Sequence, residues 1–177
     1  MSYTLHLFAI DGRQFADKLG KSAEEVLKGV REKIFLEKRC DEASARPVLR
    51  AAERLCSGNL PVDCPIEYFD ALCWLGVVEG EPVKLGCFDS MKYSYFDRVA
   101  IWPWMRRRSP PFSIPDSAET PPEAGYLSAD DISGWALSAF DELPVTNDAE
   151  VMFARTQFRE ILESLAEDRL DLLGVVM

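Results

Sequence analysis

The stretch LDLLGVVM, residues 170–177, decides the fold of this chain. A short, continuous apolar run with β-branched residues predicts a buried β-strand. Leu5 and Leu7 lie on one side of the alternating residues 2–10, which end at Asp11 and predict another strand with one core face. Strands at both ends, with helical patterns between them, predict an α+β domain whose small sheet contains both terminal strands as neighbours.

The central part of the chain carries helical patterns that predict about six helices. Val26, Val30 and Ile34, for example, recur at a spacing of four and would form one buried stripe. Trp135 lies on the apolar stripe of a later helix and is predicted to be in the core. With 47% hydrophobic and 28% charged residues, the chain has the composition of one globular domain over residues 1–177. The helical patterns cover about residues 12–19, 22–38, 45–56, 65–75, 128–140 and 147–165, with a weaker helix at 93–100 and a short strand at 83–88.

An irregular, Pro-rich segment is predicted at about residues 103–127, where six Pro residues occur. Proline lacks the backbone donor and clashes with the preceding turn, so this segment can be neither a helix nor a central strand. A connection of this length within a compact domain is usually functional or disordered. The candidate site is therefore expected in and beside this segment.

Aromatic and arginine side chains precede the Pro-rich segment and are the candidate binding residues. Trp and Arg are the side chains that most often dominate interfaces, and arginine presents a rigid fork of donors. In the structural alternative, the tryptophans cover the edge of the core and the arginines pair with the abundant carboxylates. The candidate binding residues are Tyr93, Tyr95, Trp102, Trp104, Arg106, Arg107 and Arg108.

Catalytic motifs are absent from the sequence. It contains no Gly-rich phosphate loop and no nucleophile elbow. A histidine-dependent relay would have to use His6, the sole histidine, whose position on a strand is more typical of a structural residue. Two pairs of adjacent carboxylates, Asp130/Asp131 and Asp141/Glu142, lie at predicted helix ends. Helix capping and the helix dipole explain acidic residues at such positions without a catalytic role. We therefore predict no catalytic residue and favour a non-catalytic protein over an enzyme.

The cysteines predict free thiols and no metal site. Their number is odd, and no two of them have the close spacing of zinc ligands. This pattern predicts a protein without cofactor in a reducing compartment, the cytoplasm. The apolar runs are too short to cross a membrane. The cysteines are Cys40, Cys56, Cys64, Cys73 and Cys87.

One short sequence motif resembles a motif of a known protein family. GYLSADDI, residues 125–132, resembles the Y-L-[ST]-x-E-[ED]-V helix start of the YfbM-like family, uncharacterised small acidic bacterial proteins. PPFSIP, residues 110–115, resembles a related actinobacterial-type group with a Pro-rich stretch before Gly-[HY]-Leu. The order of elements is also similar, whereas Trp102, Trp104 and the arginine triplet are not part of the pattern. The resemblance implies an α+β fold and no catalytic residues, and some relatives resemble immunity or toxin-associated proteins.

The net charge of −10 favours some partners over others. It disfavours nucleic acid, whose phosphates would be repelled, and it suits a basic protein or simply maintains solubility. We expect a non-catalytic protein-binding module, most specifically an immunity-type protein that neutralises a basic toxin or effector. The alternative is a small-molecule-binding protein or enzyme with a pocket beneath the Pro-rich segment, lined by Tyr93, Tyr95, Trp102 and nearby carboxylates.

Overall fold

A four-stranded antiparallel sheet with helices on both faces forms the fold of the computed structural model. The structure describes residues 4–38, 41–83, 105, 108–115, 122–143 and 147–177. The sheet has the order β2-β1-β4-β3, so the first and last strands are neighbours, as predicted. The strands are β1 (Leu5–Ile10), β2 (Glu81–Val83), β3 (Glu123–Leu127) and β4 (Asp171–Val176).

Both faces of the sheet are buried, which corrects the expectation of one core face. In β1, four consecutive residues from Leu7 to Ile10 are buried. Phe8 and Ile10 pack into one helical layer, while Leu7 and Ala9 pack into the other. Because strand residues alternate between the two faces, this pattern requires a helical layer on each side.

Four helices form the first layer: α1 (Gly12–Lys21), α2 (Ala23–Lys38), α3 (Glu42–Ser57) and α4 (Ile66–Glu79). In α2, the predicted stripe of Val26, Val30 and Ile34 is buried. Helix α3 begins earlier than predicted because the Asp41 carboxylate caps it, accepting a hydrogen bond from the Ser44 amide at 2.8 Å. Its last turn ends at Gly58, which adopts the left-handed conformation.

Helix α4 continues through Gly76, where the sequence predicts its end. A Cβ at this position would lie 2.7 Å from ring atoms of Phe8 in β1. The missing side chain therefore allows α4 to approach the sheet closely, and it does not terminate the helix. Ile66 is exposed at the first turn of this helix.

Two helices form the second layer. Helix α5 comprises Ala129–Asp131, a π-helical turn Ile132–Ala136 and Leu137–Asp141, and helix α6 is Ala149–Asp168. Within the part of the chain that the structure describes, each of the six predicted helices is present, and the α+β fold class is confirmed. The layer buries Ile132, Ala136, Phe140, Phe158 and Leu162 against the sheet.

Trp135 and the end of the Pro-rich segment differ from the predictions. Trp135, expected in the core, is half-buried, because Ile132 and Ala136 occupy the buried stripe and the indole lies at its border. The segment expected to be irregular to about residue 127 becomes strand β3 at Glu123, directly after its last proline, and pairs with β4. The predicted helix at 93–100 and all but the start of the strand at 83–88 lie outside the described residues.

Candidate functional site

Arg108 is the candidate binding residue that the structure describes. Its guanidinium Nη2 lies 3.5 Å from Asp131 Oδ1 in α5, and its Cζ lies 5.0 Å from the ring centroid of Trp135. Its side chain is 44% exposed to solvent, so the residue lies at the surface. This arrangement matches the structural alternative at Arg108. The other candidates, Tyr93, Tyr95, Trp102, Trp104, Arg106 and Arg107, lie outside the described residues, and their role stays a prediction.

Asp131 organises the contacts around Arg108. Trp135 Nε1 donates a hydrogen bond to Asp131 Oδ1 at 2.9 Å, and Ser128 Oγ donates one to Oδ2 at 2.8 Å. Partial burial raises the pKa of Asp131, but the hydrogen bonds from Trp135 and Ser128 and the charge of Arg108 outweigh it, so the pKa lies below its usual value. The carboxylate thereby holds the arginine and the indole in one fixed surface group.

A polar cleft of about 520 Å³ lies beneath the described part of the Pro-rich segment, with Ser109 and Pro111 on its wall. Tyr126 and Asp171 also line it. The Asp171 carboxylate accepts three hydrogen bonds: from the Gly12 amide at 2.9 Å, from the Ala129 amide at 2.7 Å and from the Tyr126 hydroxyl at 2.5 Å. It therefore connects two helices and two strands.

The Asp171 carboxylate occupies the positive ends of two helices. Gly12 and Ala129 are the first residues of α1 and α5, where free amides and the helix dipole favour an anion. A Cβ on Gly12 would lie 2.1 Å from Asp171 Oδ2, so a larger residue here would displace the carboxylate from the amide. Burial and the hydrogen bond to Asp171 raise the pKa of Tyr126, which keeps the phenol protonated. Asp171 thus fills the anion position itself.

The negative charge of the chain is concentrated in the second helical layer. Residues 128–177 contain 11 Asp or Glu and 3 Arg, a net charge of −8, whereas residues 1–127 contain 19 acidic and 17 basic residues, a net charge of −2. Arg159 already binds the Asp141 and Glu163 carboxylates, and Arg155 donates to the backbone carbonyls at the end of α5. We call α5 and α6, with the residues that join them, the acidic layer.

Helix α6 presents the outer face of the acidic layer. Phe153, Thr156, Glu160, Ser164 and Glu167 are exposed and lie on one side of the helix at spacings of three and four. Phe153 keeps 59% of its exposure, which is unusual for a large aromatic side chain. Among the residues that the structure describes, Glu160 and Glu167 form no ion pair. The face therefore offers one apolar anchor and free carboxylates.

A family model described as a domain of unknown function, DUF7691, matches residues 1–177. The chain belongs to the DUF7691 family. No curated protein and no solved structure matches the chain. The resemblance to the YfbM-like family is not addressed by these matches and stays a prediction.

Two thiols of the DUF7691 chain, the half-buried Cys56 and the buried Cys73, form no disulfide. Burial raises the pKa of Cys56 to about 11 and raises that of Cys73 further, so both thiols are protonated and unreactive at neutral pH. Within the described ranges, no three His, Cys, Asp or Glu side chains are placed to hold a metal ion. None of the helices described is both long and apolar enough to cross a membrane.

Sequence reasoning missed the cleft around Asp171 and Tyr126. Asp171 lies far along the chain from Gly12 and Ala129, so no local spacing joins the three residues. The sequence did contain one signal of the cleft. A helix-capping residue, Asp11 or Ser128, comes directly after a strand in two places and starts a helix there. The two helices begin at the same edge of the sheet, after the strands on either side of β4, and Asp171 at the start of β4 lies between their first turns.

Proposed function

We propose that this DUF7691 protein is a non-catalytic protein-binding module for a basic partner. In its most specific form, it is an immunity-type protein that covers the functional site of a basic toxin or effector. The observation that carries the proposal is the segregation of charge, since residues 128–177 hold a net −8 of the total −10. A charge excess on one layer steers and orients a partner of opposite sign, whereas a charge that only maintains solubility needs no such segregation.

The exposed face of α6 supports a docking role. An interface commonly has an aromatic anchor that is surrounded by polar groups. Phe153 would provide the anchor, and Glu160 and Glu167 would pair with Lys or Arg of the partner. Arg108, the described member of the predicted binding surface, contacts Asp131 of α5 and so belongs to the same side of the molecule as this layer.

The experiment compares two variants that change the charge equally on opposite layers. Tagged protein captures partners from its host, and mass spectrometry identifies one whose purified form is then titrated. Glu160→Lys with Glu167→Lys should weaken binding at least about tenfold, because attraction becomes repulsion. Glu24→Lys with Glu32→Lys, at exposed positions of α2, is the control and should change the affinity less than about threefold. The association rate should fall as salt is added.

Three results would contradict this proposal. They are a captured partner that is acidic, equal weakening by both double variants, and an association rate that salt leaves unchanged. The predicted surface has its own test, in which Arg106→Glu with Arg107→Glu should weaken the same complex while the melting temperature stays nearly constant. Lost thermal stability without a selective binding defect would instead favour the structural role of the arginines.

The second candidate function, a small-molecule-binding protein or enzyme, is favoured by the cleft beneath the Pro-rich segment. Arg13 and Arg169 line this cleft, and neither side chain forms an ion pair with another described residue. Arg169 also keeps φ at +55°, a left-handed conformation that is uncommon outside glycine. Small carboxylates should then bind the parent protein and not Arg13→Gln with Arg169→Gln, as measured by calorimetry. Equal binding to both proteins would exclude this candidate.

We place the protein in the cytoplasm as part of the same proposal. The support comes from Cys56 and Cys73, which form no disulfide in the structure. Free cysteines are typical of a reducing compartment. Fractionation of the native host, with the protein detected by antibody, tests the location.

A further inference from the structure

A second cleft, of about 630 Å³, lies at the opposite end of β1 from Asp171. It is bounded by α4, the last residues of α2 and the strands β1 and β2. Apolar side chains form most of its lining, and a small group of polar side chains lies at one side. We call it the His6–Trp74 cleft. Its polar members are His6, Glu37, Lys38, Asp70 and the indole of Trp74.

Regular secondary structure positions these side chains. Asp70, Trp74 and Val77 are spaced by four and three residues, so they lie on one side of α4. His6 shares a strand face with Phe8, which packs into the first helical layer. The imidazole therefore lies on the face of the sheet that the first helical layer, with α4, covers. The size of the cleft is within the range of small-molecule sites.

Two nitrogen donors in this cleft have no partner within the part of the chain that the structure describes. Trp74 is 7% exposed, and its Nε1 is buried without a hydrogen bond. The half-buried His6 imidazole forms no hydrogen bond either. Burial lowers the pKa of His6, although the charge of Asp70 acts in the opposite direction, so the ring is neutral at pH 7 and carries one N–H. Buried donors without acceptors are rare and indicate a missing partner.

The charges of the cleft indicate the class of ligand. Lys38 Nζ lies 2.6 Å from Asp70 Oδ2 and 5.5 Å from the ring centroid of Trp74, so its charge is already compensated. Glu37 adds a negative charge at the rim. An anionic ligand would find no free cation here, and a cationic ligand would compete with Lys38 for the same carboxylate and ring. The cleft is thus suited to an uncharged molecule.

We infer that the His6–Trp74 cleft binds an uncharged, planar aromatic or heteroaromatic small molecule that carries a carbonyl or ring-nitrogen acceptor. The His6 N–H donates to this acceptor, and the apolar side chains, with the ring of Trp74, enclose the planar body. This binding is separate from the protein-binding role of the acidic layer.

The test uses a neutral bicyclic lactam, carbostyril, with quinaldate as its anionic counterpart and an aminomethylquinoline as its cationic one. Because His6 is the sole histidine, its ring resonances are unambiguous in NMR spectra. Carbostyril should shift the His6 ring signals and the Trp74 indole N–H in a saturable way. The two charged compounds should bind at least about tenfold more weakly, because quinaldate would find no free cation. The aminomethylquinoline would have to compete with Lys38 for Asp70 and with Lys33 for Glu37.

Matched variants distinguish the site from a general effect. His6→Leu should weaken carbostyril binding about five- to tenfold, as expected for a lost hydrogen bond, while His6→Gln retains an N–H donor and should stay within about threefold of the parent. Trp135→Phe, on the other layer, is the control and should leave the affinity unchanged. Three results would overturn the inference: no saturable shift at millimolar carbostyril, tighter binding of quinaldate, or equal affinities for the parent and His6→Leu. If His6→Leu does not fold, Trp74→Phe takes its place, with the same expected loss.

Discussion

Replacing Asp171 by Ala removes the acceptor of three hydrogen bonds in one step. The amides of Gly12 and Ala129 and the hydroxyl of Tyr126 then lack their partner. A donor left unsatisfied in a buried place costs about 1–3 kcal/mol. Water in the adjoining cleft can reach the two amides, so their cost lies at the low end, whereas Tyr126 is 4% exposed and bears a larger share. We expect a loss of about 3–5 kcal/mol in the free energy of unfolding.

Urea denaturation of the parent and of Asp171→Ala measures this loss. Asp168→Ala, which removes a nearby exposed carboxylate, is the control and should change the free energy by less than about 0.5 kcal/mol. A double-mutant cycle of Asp171→Asn with Tyr126→Phe should give a coupling energy of about 1–2 kcal/mol, since the two groups share one hydrogen bond. If Asp171→Ala loses less than about 1 kcal/mol, Asp171 does not hold the two helix starts to the sheet, and our reasoning is refuted.

Two further predictions concern Trp135 and Tyr126. Trp135→Ala should lower the free energy of unfolding, measured by urea denaturation, by about 1–3 kcal/mol, because the contacts of the indole with Asp131 and Arg108 are lost. This loss is smaller than that for a core tryptophan because the indole is only half-buried, and a loss above about 4 kcal/mol would contradict this placement. Because the folded-state pKa of Tyr126 is raised, stability should be complete below about pH 10 and fall as the pH rises further, whereas Tyr126→Phe should reduce this alkaline loss; equal alkaline profiles in denaturation would contradict the assignment.

Local patterns predicted much of the fold. The apolar run at β4 and the stripe of α2 identify a buried strand and a helix, because each depends on neighbours in the sequence. The burial of both faces of β1 was missed, since polar His6 between two leucines mimics a strand with one solvent face. Strand β3 was missed because the prolines before it dominate the local pattern.

The candidate site was less predictable from sequence. The ion pair of Arg108 with Asp131 agrees with the structural alternative, in which the arginines pair with the abundant carboxylates of the chain. The Asp171 carboxylate and the His6–Trp74 cleft depend on residues from distant parts of the chain, and no spacing rule joins them. What the sequence did contain is the uneven distribution of charge, which becomes visible when residues 128–177 are counted separately.

The position of β4 in the sheet has a consequence for synthesis on the ribosome. Leu5 pairs with Val176, and β4 lies between β1 and β3, so two of the three strand pairings in the sheet need residues that are translated after residue 170. Until then, β1 presents an unpaired edge, and α1–α4 can cover only one of its faces. Pairing over such a long separation is slow, and exposed edges recruit other chains. We therefore expect the nascent chain to expose apolar strand surface that is prone to aggregation until β4 has been translated.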